Sequence, residues 1–346
     1  MNTIDSPPGG NFAYSLFGIQ QTEQDPPSTK TKLLIESFDK LVQDGTDRYV
    51  ERVVEDGIVH PRKGKTHVWI ITWKSVSAFE SWWDSPAVSS FWESLPSDAG
   101  MWREILKIPF SRSQYKASQN WRKGLGAIYP HKPTDKVGYW GWIRDAIRDL
   151  TKQNRMDSPL PATMRNQSGG GVDSDNSPTV DGHVLMTVFP DNICFNLERQ
   201  DMSGVVGDEK EAWFENFDGP VRQWMIDLSN AGPETGVLSS RMCYDKDSGT
   251  YTTGMPEYHN YNVKVEPFYF VDLKAMEKLG RSNKGHVSLR NNILKMYGPG
   301  GSLFGVGRMA LWVETSILKG KDIEAEYIGC VEGTGLMPFR DHEAFK

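Results

Sequence analysis

The stretch Asn283-Lys284-Gly285-His286-Val287-Ser288-Leu289-Arg290-Asn291-Asn292-Ile293-Leu294 carries one histidine, just after a glycine-containing turn and just before apolar residues at helical spacing. A neutral imidazole can bind a transition metal through one nitrogen while the protein holds the other. His286 is therefore a candidate axial ligand, and a solvated or packed helix histidine is the competing reading. His183, which opens a strand after a loop, and His259, in a Pro/Tyr-rich turn, are second choices. His60, His67, His131 and His342 read as loop or surface residues. Cys194, Cys243 and Cys330 lie far apart, with no C-x-x-C or C-x-x-C-H, which argues against zinc ribbons, iron–sulfur clusters and covalent c-type haem. Ser239 lies in a strand, where it is either a site hydroxyl or bonded to backbone. Glu198 and Glu314 are charges inside apolar strands, costly unless paired or wet.

These residues need elements to position them. Strands are expected at Phe12–Gln20, Thr66–Trp73, Trp102–Phe110, Gly236–Tyr244, Asn262–Phe270, Arg308–Leu318 and Glu324–Val331, and over most of His183–Arg199. Helices are expected over Leu33–Val54 (partly broken), Ser75–Leu95 with an interruption at Pro86, Glu209–Leu228, and Leu273–Met296 with a break around Gly280–Gly285. Thr134–Leu150 contains Trp140 and Trp142, core or pocket-wall candidates, and continues as an amphipathic helix. Arg144 and Asp145 read as an ion pair near that helix start, with contact to a cofactor carboxylate as the other role. Strand Thr66–Trp73 and its helix resemble strand Asn262–Phe270 and its helix. Repeated strand–helix–strand units of this kind predict an α+β protein. Its two fused ferredoxin-like modules, of the dimeric α+β barrel type, would form a β-barrel-like core with helices outside and a cavity between sheet and helix. The expected boundaries are 1–151 for the first half, 152–182 for a Ser/Pro/Gly-rich loop and 183–346 for the second half, in one compact body.

Composition narrows the function. The chain has 346 residues, enough for such a fused pair, and its 12 Trp and 15 Phe suit the lining of a large apolar cavity. The net charge of -6, with signs interspersed, gives no case for nucleic acid or an anionic membrane. The N-terminus lacks a basic-then-apolar signal pattern, and Val68–Trp73 is too short to span a bilayer. With three scattered cysteines these features predict a soluble cytoplasmic protein.

Along most of its length the chain resembles the haem-containing aldoxime dehydratases. Phe17-Gly18-Ile19-Gln20 resembles their opening strand, and Gly100-Met101-Trp102-Arg103-Glu104 with Pro109 resembles "GYFREV…P". Gly138-Tyr139-Trp140-Gly141-Trp142-Ile143-Arg144-Asp145 is similar to "HYWGSMRDR". Asp191-Asn192-Ile193-Cys194-Phe195 with Gln200-Asp201 is similar to "NLCxIRSGQDW", and Gly236-Val237-Leu238-Ser239-Ser240-Arg241 to "GCxSxRY". Gly285-His286-Val287-Ser288-Leu289 falls on "PTHxAIF", whose histidine binds iron. Leu311-Trp312-Val313-Glu314 falls on "LWHEV", and Glu326-Tyr327-Ile328-Gly329-Cys330 with Thr334-Gly335 on "EYINCHPxTG".

The resemblance implies a b-type haem lyase with His286 as the iron ligand, turning an aldoxime into a nitrile, with a homodimer as one open assembly. Two positions depart from the pattern: the family's distal histidine is Val313 here, and its active-site arginine falls on Leu197 if the segment aligns without a gap. Ser239 keeps the pocket serine. A positioned acid matters for N–O cleavage, and losing one costs about 10²–10⁴-fold. Arg199 or Glu198 could supply the missing group through a shifted register or a bulge, or the substrate could bring its own acid. Alternatively the chemistry itself has changed, to rearrangement or N–N bond formation on another N–O substrate in secondary metabolism, or the site only binds haem. Val313, Leu197, Trp140 and Arg144 are then the expected cofactor neighbours, and Ser239, Arg199 and Glu198 the catalytic candidates.

Overall fold

A computed structural model describes all residues except 8, 22–26, 58–63, 137 and 162–177. His60 and the Gly169-Gly170-Gly171 run lie outside the described residues. After β1 (Asn2–Ile4) come β2 (Asn11–Gln21), α1 (Thr29–Leu41), β3 (Arg48–Glu55), β4 (Lys65–Trp73), α2 (Val76–Trp83), α3 (Pro86–Glu93) and β5 (Met101–Pro109). A connecting stretch holds β6 (Ser113–Ala117), α4 (Leu125–Ile128), β7 (His131–Pro133), α5 (Trp142–Ala146) and β8 (Thr179–Met186). The second run is β9 (Cys194–Asp201), α6 (Gly207–Asn216), α7 (Asp218–Ser229), β10 (Val237–Ser240), β11 (Cys243–Tyr244), β12 (Val263–Phe270), α8 (Leu273–Ser282), α9 (Lys284–Tyr297) and β13 (Ala310–Ile317), followed by β14 (Ile323–Val331).

The strand pairing shows the duplication directly. In the first module the sheet order is β5-β2-β4-β3, and in the second it is β13-β9-β12-β11. Each is the order 4-1-3-2 of a ferredoxin-like βαββαβ unit. The two units join edge to edge where β11 pairs with β3, Cys243 opposite Glu55 and Tyr244 opposite Val54. Outer strands are exchanged: β14, from the C-terminal end, pairs with β5, and β6, from the first half of the chain, pairs with β13. Position along the chain therefore does not separate the modules in space.

Strand alternation sorts the side chains into three apolar cores. An inner core joins the facing sides of both modules, including Tyr14, Leu16, Trp102, Phe195, Leu197, Val265 and Trp312. One ring contact across it sets Tyr14 5.6 Å from Phe195. Gly18 lets two strands close here, because a Cβ at that position would sit 2.2 Å from the Trp102 ring. A second core fills the layer between the first module and α1–α3 with Phe17, Phe38, Trp69, Trp73, Phe79, Trp82 and Trp92, Trp83 packing against it. Much of the aromatic supply is thus spent on solid packing, not on a cavity wall. The third core lies between the second module and α6–α9.

Local expectations fail in several places, among them Gly236–Tyr244, which is two strands, and Glu209–Leu228, which is two helices. The second half of Leu33–Val54 is strand β3, because Asp44-Gly45-Thr46-Asp47 breaks the helix and the Asp44 carboxylate accepts from the Val50 N–H at 2.9 Å. Thr134–Leu150 contains only the short α5, since Gly138 and Gly141 take positive φ of 84° and 96°. His183–Arg199 is two strands, β8 and β9, parted by the segment containing Pro190. Among the described residues, no helix is long and apolar enough to cross a membrane.

Candidate functional site

His286 stands in the first turn of α9. Asn283 caps that helix: its side-chain oxygen accepts from the His286 N–H at 2.8 Å, and its amide donates to Asp227 of α7 at 2.6 Å. The ring is fixed on two sides. Its Nδ1 donates to the Gly280 carbonyl at 2.7 Å, and its face stacks on Trp224 of α7 at 4.5 Å between centroids. Gly280 keeps this approach open, because a Cβ there would lie 3.2 Å from Cε1 and 3.4 Å from Nδ1 and the ring would have to give by a few tenths of an ångström. Burial holds the imidazole pKa below its ordinary value. With the proton on Nδ1, the Nε2 lone pair is left to accept, and no partner for it is present among the described residues.

The helix layer containing His286 covers one face of the second module's sheet. That face has a polar floor, unlike its aromatic counterpart in the first module. Across four strands the register places Glu266, Glu198, Val313 and Lys116 side by side. The next row is Phe268, Asn196, Thr315 and Gln114. Gln114 donates to the Thr315 hydroxyl at 2.9 Å, Thr315 to the Asn196 carbonyl at 2.7 Å, and Asn196 to Glu198 at 2.8 Å. Burial raises both glutamate pKa values, and Glu198 raises that of Glu266 further. Burial lowers Lys116 to about 8.

The structure separates the other positions singled out in the sequence. Leu197 is fully buried in the inner core, on the opposite face of β9 from Val313. Arg199 shares that inner face, where its guanidinium donates to Glu51 at 2.5 Å and Glu314 at 2.7 Å. Both residues are walled off from His286 by the sheet, so of the β9 candidates only Glu198 joins Val313 on the helix side. At β10 a bulge sets Ser239 opposite Tyr269 and Ser240 opposite Phe268. Tyr269 is an inner residue bonded to Glu104, while Phe268 belongs to the helix-side core. The register therefore favours Ser240 on the side of His286 and leaves Ser239 at the bulge. Arg144 does not pair with Asp145: its Nε donates to both oxygens of Glu277 at 3.0 Å, and its buried Nη2 has no partner among the described residues. Trp140 is 43% exposed, 6.4 Å from the His286 ring, with the Arg290 and Arg281 guanidinium groups 4.3 and 5.3 Å from its centroid.

Glu266, Lys116, Gln114 and Gly280 were missed in the sequence. The available signal for the first three was polar residues at alternate positions of short strands, Lys264/Glu266 and Gln114/Lys116, which marks one polar face on a buried sheet.

The model of the haem-containing dehydratase family matches residues 15–336. The chain belongs to this family. Phenylacetaldoxime dehydratase from Bacillus sp. (strain OxB-1) is 24% identical over 97% of this chain and 90% of its own length. An aliphatic aldoxime dehydratase from Rhodococcus globerulus is 25% identical over 77% of this chain and 70% of its own. In fold, the chain resembles an aldoxime dehydratase crystallised with butyraldoxime, with TM-score 0.75, 19% identity and coverage of 97% of this chain and 88% of that one. A second aldoxime dehydratase structure aligns with TM-score 0.73 at 17% identity, covering 97% and 90%.

Haem is thus the cofactor, and the enzyme is of the lyase class. The chain's own residues fit such a group. An imidazole with Nδ1 pinned and Nε2 free is an iron donor, and Gly280 leaves the space that orients it. Arg144 Nη2 is a buried cationic donor suited to a carboxylate. Gln114 Oε1 and Gln200 Nε2, on the covered sheet face, are also buried without partners among the described residues.

Proposed function

We propose that this haem-containing dehydratase converts an aldoxime, R–CH=N–OH, to a nitrile and water, with His286 Nε2 as the protein ligand of the iron. The observation that carries the reading is the Gly280 carbonyl holding His286 Nδ1–H, which leaves Nε2 as the acceptor in the layer above the polar sheet face. When bound, the haem supplies an iron site that takes the oxime nitrogen and feeds electron density into its N–O bond. The protein's tasks are to orient the oxime over the sheet, exclude bulk water, and move one proton to oxygen and one from carbon. Glu198 is placed for proton work, and Ser240, with Ser239 at the bulge, for a hydroxyl contact. Trp140 and Arg144 lie on the His286 side as cofactor neighbours. The substrate is a small molecule and the setting cytoplasmic. Support comes from the net charge of -6 without a basic patch in the sequence, and from three buried cysteines that are not in disulfides.

A second reading, changed chemistry on another N–O substrate, is favoured by one observation: Val313 occupies the position of the family's distal histidine. One experiment separates them. Haem-reconstituted protein is reduced anaerobically and supplied with aliphatic and aryl aldoximes, and nitrile is measured. Nitrile from the wild type, lost in His286→Ala together with the Soret band, supports the proposal. A reconstituted, reduced enzyme that binds aldoximes spectroscopically yet yields no nitrile overturns it in favour of the second reading.

A further inference from the structure

Dehydration of an aldoxime needs an acid and a base that end the cycle as they began. The hydroxyl oxygen takes a proton as the N–O bond breaks, and the electron pair of that bond leaves with water. The C–H bond then gives up its proton, and its electron pair becomes the third carbon–nitrogen bond. No net proton and no external electron is consumed.

The helix-side face of the second module's sheet holds two carboxyl groups, Glu198 and Glu266. Glu198 and Glu266 are direct cross-strand neighbours, and Glu198 is also directly opposite Val313. Their hydrogen bonding differs. The relay from Gln114 through Thr315 and Asn196 ends by donating to Glu198, which favours its ionised form. Glu266 is only 5% exposed and has no hydrogen-bond partner among the described residues, so nothing stabilises a charge on it. Two carboxyls paired across strands in a buried layer disfavour each other's charged form. Other charges at this layer are placed elsewhere. Lys264 is engaged with the Tyr261 carbonyl, near Asp218 and Arg222 of α7, and Glu277 of α8 is held by Arg144. Lys116 is 4% exposed on the far side of Val313, and His286 of α9 has its Nδ1 on Gly280.

We propose that Glu266 and Glu198 share one proton as an acid–base pair and replace the histidine missing at Val313: Glu266 protonates the departing hydroxyl, Glu198 takes the C–H proton, and transfer across the pair restores the starting state. The proposal rests on the aldoxime reading for its substrate, but the shared proton can be measured without haem or turnover.

The test uses wild type, Glu266→Gln and Glu198→Gln. Infrared spectra of the apoprotein at neutral pH should show the carbonyl stretch of a protonated carboxylic acid that is absent in Glu266→Gln. In Glu198→Gln the band should fade at lower pH than in wild type, because Glu266 loses its negative neighbour. In the haem-loaded enzyme, Glu266→Gln should lower nitrile formation by about 10²–10⁴-fold with an unchanged Soret band. A wild-type spectrum without that Glu266 band overturns the shared proton, and a Glu266→Gln enzyme with full turnover overturns the acid role. If wild type makes no nitrile from any aldoxime, the reaction assignment fails by itself, and the pair stands or falls on the apoprotein spectra.

Discussion

The smallest group at the candidate site controls its largest interaction. Gly280 lets the His286 ring reach its carbonyl, and that bond selects the tautomer with a free Nε2. Gly280→Ala must push the ring or the end of α8 aside. We expect haem affinity of the apoprotein to fall about 10–100-fold, the usual cost of losing a ligand's supporting contact, in an absorbance titration with haem. An unchanged affinity would mean that the ring does not need this contact. Glu266 gives a second prediction, in pH. Its folded-state pKa is raised, so its stabilising contribution is full below the ordinary glutamate value of about 4.3 and is lost as pH rises towards the folded pKa. Glu266→Gln removes that loss: its melting temperature should exceed that of wild-type apoprotein increasingly from pH 5 to pH 8, with little difference near pH 4. A constant offset across this range would contradict it. Both residues show the limit of reading single positions. His286 is legible from its motif, whereas Gly280 looks only like a helix interruption. Leu197 and Arg199 lie on the inner face of β9, because a one-residue offset on a strand exchanges the two faces of the sheet. Glu198, considered for that reason, is the β9 residue on the site's side.

Helix α9 presents His286, the proposed ligand, from a first turn that the chain starts abruptly. Asn283 does this with one side chain, capping His286 N–H and tying the helix to Asp227 of α7. Asn283→Ala should cost about 1 kcal/mol from the lost cap, seen as a lower denaturant midpoint. It should also speed haem loss to a scavenging apoprotein, since the turn that holds the proposed ligand is the one that frays. Equal haem-loss rates would show that α9 is held by packing alone. Elements of this kind were largely legible. The break between α8 and α9, the two halves of the Pro86 helix pair and the long strands follow from periodicity and from Pro or Asn at the ends. What periodicity could not supply was the role of each face. The same 4-1-3-2 unit packs aromatics under α1–α3 and a polar floor under α6–α9, and only the pairing of β6, β9, β12 and β13 shows which residues form that floor.

At the scale of the whole molecule, the two modules are held by more than the short β3–β11 joint. Arg199 and Glu314 of the second module meet Glu51 of the first inside the inner core. Burial pushes the Glu314 carboxyl well above the usual carboxylate range, and the Arg199 guanidinium donates to it as well as to Glu51. Arg241 and Glu104 make a second such link, at 2.6 Å. Removing one member of a buried pair leaves an uncompensated charge in low dielectric and costs about 3–5 kcal/mol. Arg199→Met should lower stability by that amount in urea unfolding, and adding Glu51→Gln should recover part of it, because the stranded charge is then gone. The same experiment decides whether Arg199 belongs to the chemistry. A structural link between modules leaves the Soret band and nitrile formation of the folded fraction intact below the new unfolding transition. Loss of turnover in fully folded Arg199→Met enzyme would instead require this guanidinium to reach through the sheet, against its bidentate hold on Glu51 through Nε at 3.1 Å and Nη2 at 2.5 Å.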